Sequence, residues 1–206
     1  MKKLLVLSVL LVSGLAFAGE QSRDVSAFTT IRTKSALNLI VEVGKEQSIK
    51  VNGDAKFQDS ITTEVRDGEL LITSKQKNGF QINDREQVIV TVPTLKIFRM
   101  EGVGATELRQ ISGDNFELYY EGAGLMTVQG KVKHFKLRAK GVGMVDAKAL
   151  LAEEADISLE GVGAAKVYAS EKLRAELQGI GSLNYYGNPR SVKKNVGGIG
   201  SVTAGD

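Results

Sequence analysis

The 206-residue sequence has no cysteine, no tryptophan, two prolines and a single histidine. Without cysteine there is no disulfide, no thiolate metal site, no thiol nucleophile and no attachment point for a lipid. One histidine excludes any His-x-x-x-His metal spacing. That residue, His134, lies in Lys131-Val132-Lys133-His134-Phe135-Lys136, which reads as a surface loop or strand edge. No Gly-x-Ser-x-Gly elbow accompanies it, so a Ser-His-Asp set has no support. No residue suggests a cofactor, and no metal site of His or Cys ligands can form. An excess of one charge is missing as well, since the formal net charge is only +3.

Long apolar runs are confined to the start. Met1-Lys2-Lys3 is a basic head, Leu4 to Leu15 is apolar, and Ala16-Phe17-Ala18 fits a small-x-small cleavage site. The run is too short to span about 30 Å of hydrocarbon at about 1.5 Å per residue. We therefore read residues 1–18 as a cleaved export signal and 19–206 as the mature chain. The mature chain then has no membrane span and resides in the periplasm, in the medium or at the cell surface. Loss of Lys2 and Lys3 leaves 25 basic against 24 acidic side chains. No basic footprint for nucleic acid survives that loss.

What is abundant is glycine, at 23 residues, and twelve of them lie in one motif. Gly-x-Gly occurs as Gly102-Val103-Gly104, Gly122-Ala123-Gly124, Gly141-Val142-Gly143, Gly161-Val162-Gly163, Gly179-Ile180-Gly181 and Gly198-Ile199-Gly200. The first glycines are 18 to 20 residues apart, and each triplet follows an alternating strand-like stretch such as Phe116-Glu117-Leu118-Tyr119-Tyr120. A repeat of about 19 residues describes one coil of a solenoid: strand, glycine corner, strand, return turn. Glycine suits the corner because it accepts positive φ and lets neighbouring backbones approach closely. Coils about 4.8 Å apart would build a column of roughly 30 Å. A phosphate-binding loop is rejected, because no copy carries the third glycine of G-x-G-x-x-G or opens a helix.

Charges test the stacking. Five residues before each first glycine stand Ile97, Glu117, Lys136, Asp156, Arg174 and Lys193, with alternating sign from Glu117 to Arg174. Just before the triplets stand Glu101, Glu121, Lys140, Glu160, Gln178 and Gly197. Coils stacked one per repeat set such side chains directly above one another, where opposite charges attract. Glu101 beside Glu121 is the irregularity. It reads either as part of a solvated face or as a small acidic cation or ligand site.

Residues 24–94 are β-like but less regular, with strands expected at Leu37–Val43, Ser48–Val51, Ile61–Val65, Leu70–Thr73 and Gln87–Val92. Turn signals fall at Asn52-Gly53-Asp54, Asp67-Gly68 and Asn78-Gly79, and Pro93 should end a strand. With no linker, the expectation is one all-β domain: an irregular half, 24–94, followed by about six regular coils over 95–204.

The pattern Phe-x-Leu-x-x-x-Gly-x-Gly, with Tyr185-Tyr186-Gly187-Asn188-Pro189 before the last copy and the closing Gly198-Ile199-Gly200-Ser201-Val202, resembles the head GIN domain family of autotransporter-adhesin heads. The likeness runs from about Phe28 to Ala204. It implies a right-handed parallel β-helix in an exported bacterial protein, and it brings no catalytic residues to carry over. No stretch after Asp206 could form a translocating barrel, so the expectation is a head-like domain alone.

Three classes of function remain. A binding module would use the long solenoid face for an extended glycan or an envelope protein. Its candidate surface is Glu101, Glu121, Tyr119, Arg138, Lys140, Tyr185 and Tyr186, with Tyr119 expected on the outward face. A polysaccharide lyase or hydrolase would use Lys136, Arg138 and Lys140 with Asp156 and Glu160, on fold analogy alone. A purely structural envelope protein is the third. The terminal coil, Ser191 to Thr203, presents an uncovered strand edge, so self-association or partner pairing is expected there.

Overall fold

A computed structural model describes residues 19–75 and 85–205. The expected export signal and the expected Asn78-Gly79 turn lie outside the described residues. The strands are β1 (Gly19–Arg23), β2 (Thr30–Lys34), β3 (Asn38–Val43), β4 (Ser48–Gly53), β5 (Ile61–Arg66), β6 (Glu69–Ser74), β7 (Gln87–Val92), β8 (Ile97–Ala147), β9 (Leu150–Tyr168), β10 (Lys172–Tyr186) and β11 (Ser191–Ala204). One short helix, α1 (Ala55–Ser60), lies between β4 and β5.

The expected β-solenoid is observed, with one triplet per coil. β8, β9, β10 and β11 pair in parallel, and the register sets Gly141 against Gly161, Gly161 against Gly179, and Gly179 against Gly198. Within β8 the first glycines Gly102, Gly122 and Gly141 stack in turn. At each of the twelve triplet glycines, a Cβ would overlap a backbone carbonyl oxygen of the preceding coil. Positive φ is less uniform: all six first glycines have it, whereas Gly163, Gly181 and Gly200 do not. Close approach, more than φ, is what the corner demands of every triplet.

The column extends beyond the triplets. β2 pairs with Ile97–Met100, Ala36 bridges Val103, and β3 pairs with Thr106–Arg109, all 67 residues apart. Residues 30–43 are therefore a coil in register, with Ser35-Ala36-Leu37 where later coils have Gly-x-Gly. Beyond it lie β6 and β7, parallel to β2 and β3 at offsets of 39 and 49. That corner thus carries ten more residues. β5 and β4 then pair antiparallel with β6 and β7, and β1 runs antiparallel along β4. The β5–β6 hairpin turns at Asp67-Gly68, both at positive φ, as a type I′ turn requires. Asp54 caps α1 by accepting from the Phe57 N–H at 2.7 Å, and Phe57 is buried in the core at this end.

The interior is built of columns, one residue per coil. Four residues before the corner stand Ile31, Phe98, Leu118, Leu137, Ile157 and Ala175, all buried. After the corner come Leu39, Thr106, Met126, Val145, Ala165, Leu183 and Val202. Phe116 and Phe135 stack with ring centroids 6.1 Å apart. The terminal coil breaks the first column, because Lys194 occupies the position of Ala175 and Ile157. Its Nζ crosses to the far strand of its own coil, donating to the Val202 carbonyl at 2.9 Å and lying 4.7 Å from the centre of the Tyr185 ring. An inward charge of this kind blunts a strand edge.

Two outcomes are expected. Gly113→Ala, at φ +132° but with open space around the added methyl, should lose about 1 kcal/mol of stability. Gly163→Ala, at ordinary φ but against the Gly143 carbonyl, should lose more, about 3 kcal/mol. Urea unfolding ranks the pair, and the reverse order would make φ the dominant constraint. Lys194→Leu should increase end-to-end association relative to the parent chain, measured by sedimentation velocity. Lys193→Leu, one residue away and outward, should not.

Candidate functional site

The strand before the corner turns its odd positions outward, so each coil contributes three side chains to one long face. Rows of this face are Thr30, Arg32, Lys34; then Ile97, Arg99, Glu101; then Glu117, Tyr119, Glu121. Lys136, Arg138, Lys140 follow, then Asp156, Ser158, Glu160, then Arg174, Glu176, Gln178. Register alone creates this grid, and the charges pair across it. Arg32 and Arg99 reach Glu69 at 2.9 and 3.3 Å, Arg32 and Lys34 reach Glu101 at 3.5 and 3.2 Å, and Lys140 reaches Glu160 at 3.5 Å.

The alternating column is realised only in part. Lys136 bonds Glu117 at 3.3 Å, but Asp156 is taken diagonally by Arg138 at 3.1 Å. The arginine's fork also donates to the Leu137 and Asp156 carbonyls, which fixes it in that direction. The like-charged neighbours Glu101 and Glu121 are relieved from the other side, because Glu101 faces Arg32 and Lys34 of the preceding coil.

Tyr119 lies outward and half-buried at the centre of this grid. Arg99 sits 5.0 Å and Lys136 5.5 Å from its ring centre, and its hydroxyl donates to Glu117. That hydroxyl first, and Lys136 after it, hold the Glu117 carboxyl below the usual carboxylate range. The Tyr119 oxygen and Glu117 in turn raise the Lys136 ammonium. Tyr120 points inward, donates to the Val142 carbonyl at 3.2 Å, and is raised by burial.

Five of the seven sequence candidates, Glu101, Tyr119, Glu121, Arg138 and Lys140, line one surface groove of about 330 Å³. Arg99, Ser158 and Glu160 join them there. Tyr185 and Tyr186 do not. Tyr185 faces the core beneath Lys194, and Tyr186 faces outward in register with Tyr168, with Lys148 3.8 Å above its ring. A second groove, of about 460 Å³, runs beside the first and is lined by His134, Glu154, Lys172, Arg174 and Lys193 among others. His134 is exposed, with Nδ1 3.7 Å from Glu154. Among the described residues, no three His, Asp or Glu side chains gather as a metal group. Sequence reasoning missed Arg99 and the pair Arg32 and Lys34. Their signal was the 67-residue offset, which no glycine triplet marks.

The Glu117–Lys136 pair is partly exposed, so its contribution is small and tied to pH. A carboxyl lowered in the folded state adds stability above its unfolded value, near about 4.3, and that stability fades as pH falls through the folded value. Lys136→Glu should therefore cost about 1 kcal/mol more than Lys56→Glu at pH 7 and low salt. Thermal melts should show the gap closing both in high salt and toward pH 3. A gap of zero at pH 7 would remove the cross-coil pairing.

The family described as "Putative auto-transporter adhesin, head GIN domain" matches residues 27–189. Among solved structures, a "putative adhesin" of Bacteroides fragilis is similar with a TM-score of 0.73 at 22% identity, over 90% of this chain and 95% of that one. A "putative adhesin" of Parabacteroides merdae gives a TM-score of 0.52 at 17% identity, over 91% and 96%. At these identities both likenesses speak for the fold alone. No curated protein matches the chain. No described helix is long and apolar enough to cross a membrane. Matched over most of its length by the family description, the chain belongs to the head GIN domain family of adhesin-type heads.

Proposed function

We propose that the protein is an exported, non-catalytic binding module of the bacterial cell envelope, and that it holds an extended glycan along the outer face of its solenoid. Export rests on the signal-like residues 1–18. The observation that carries the binding reading is the 330 Å³ groove, lined by the Tyr119 ring together with Arg99, Glu121, Arg138 and Lys140. Its size lies in the range of ligand clefts, about 300–1,000 Å³. A fixed, half-exposed tyrosine offers an apolar face to a sugar ring, while the charged rim offers hydroxyl partners. Register sets outward polar and charged side chains at about 4.8 Å along the column, which suits a chain-like ligand better than a compact one.

Lys136, Arg138 and Lys140, the cations a lyase or hydrolase would use, are each bound to an acid across the coils. That supports binding over catalysis. The test is a glycan array probed with the full chain and with Tyr119→Ala, both checked for an unchanged far-UV spectrum. Binding by the parent chain that falls about tenfold in the variant is the expected outcome. Equal binding by both, or none by the folded parent, would overturn the reading.

A further inference from the structure

Most acids of the outer face are paired across the coils, Glu121 being without an ion pair among the described residues. Glu69, Glu101, Glu117, Asp156 and Glu160 each hold a cation. Arg174 and Lys193 stand directly opposite one another in the parallel register of β10 and β11. Neither has an ion pair among the described residues. Asp156, in register with Arg174 on its other side, is turned to Arg138. Like charges directly opposite destabilise a sheet, so stacking does not account for this pair. Both side chains line the groove of about 460 Å³. Lys172 stands at the same rim, reaching Glu154 only at 3.9 Å.

We propose that this groove is a subsite for the anionic groups of an acidic polysaccharide, either carboxylate or sulfate. Arg174 offers a planar fork that meets two oxygens of one group, and Lys193 adds a compact charge one coil away. Lys172 stands at the rim, and the three acids that also line the groove, Glu117, Glu154 and Asp156, face Lys136, His134 with Lys172, and Arg138 in turn. The groove lies on the same strand face as Tyr119, so one extended chain can stack on that ring and set an anionic group between Arg174 and Lys193. The inference rests on the glycan reading above and adds the charge of the ligand to it.

Calorimetric titration of the full chain tests it with three probes: a polygalacturonate oligosaccharide, a dextran sulfate oligosaccharide and a neutral dextran oligosaccharide. The variants are Arg174→Gln with Lys193→Gln, and Tyr119→Ala. At least one anionic probe should bind the parent chain, weaken with salt, and lose about tenfold in affinity in the double variant. Which probe binds identifies the group. The double variant should melt at or above the temperature of the parent, because it relieves repulsion, whereas a structural role for the pair would lower it. Anionic binding untouched by the double variant would overturn the subsite. So would binding of only the neutral probe, sensitive to Tyr119→Ala, which leaves the glycan reading standing. Failure of every probe and of the array would remove both.

Discussion

The structure depends on one contact: the backbone of each corner lies against the carbonyl oxygen of the corner before it, where a Cβ would stand. Close packing of that kind allows no slippage. A shift of one residue would bring a side chain into the contact and would also turn every interior residue outward. The six triplets thus act as a clamp on register, and the straight columns on both faces follow from it. Leu118, Leu137 and Ile157 stack because Gly122, Gly141 and Gly161 do. Tyr119 stands between Arg99 and Arg138 for the same reason.

Features generated by the repeat were legible in the sequence, and features that break it were not. The coil spacing, the outward place of Tyr119 and the column Glu117–Lys136 could be read because the triplet supplies a ruler. Residues 30–43 obey the same register, but Ser35-Ala36-Leu37 carries no glycine, so the ruler stops at Gly102. There the preceding coil meets Gly102 and Gly104, and their missing Cβ atoms make the room. Arg138 failed differently. Its register partner is Ser158, and its choice of Asp156 depends on a rotamer and two carbonyls, which a column does not encode. Lys194 was legible in principle, since its parity matches Ala175 and Ile157, but a reading built on charge at outward positions passes over an inward one.

The same register separates interactions that stabilise from those that pattern. Interior columns are almost fully buried, whereas the ion pairs of the outer face keep roughly a third or more of their side chains in water. Exposed pairs contribute at most about 1 kcal/mol each, and salt reduces that further. The outer charges can therefore vary without loss of the fold. A groove whose walls are set by backbone register but whose chemistry is set by weakly stabilising side chains suits that division.

The two ends of the column show where such a face can operate. On either side of the coils in register the chain departs from the repeat. At the N-terminal end the departure is direction: β4 and β5 run antiparallel to β7 and β6, and α1 brings Phe57 into the core. In β11 it is charge, with the exposed Lys194 reaching over its own coil to the Val202 carbonyl. Neither device alters the outer face of the coils between them. Both lie off the grid that holds Tyr119, Arg138, Arg174 and Lys193, so the outward side chains keep their register up to the last coil.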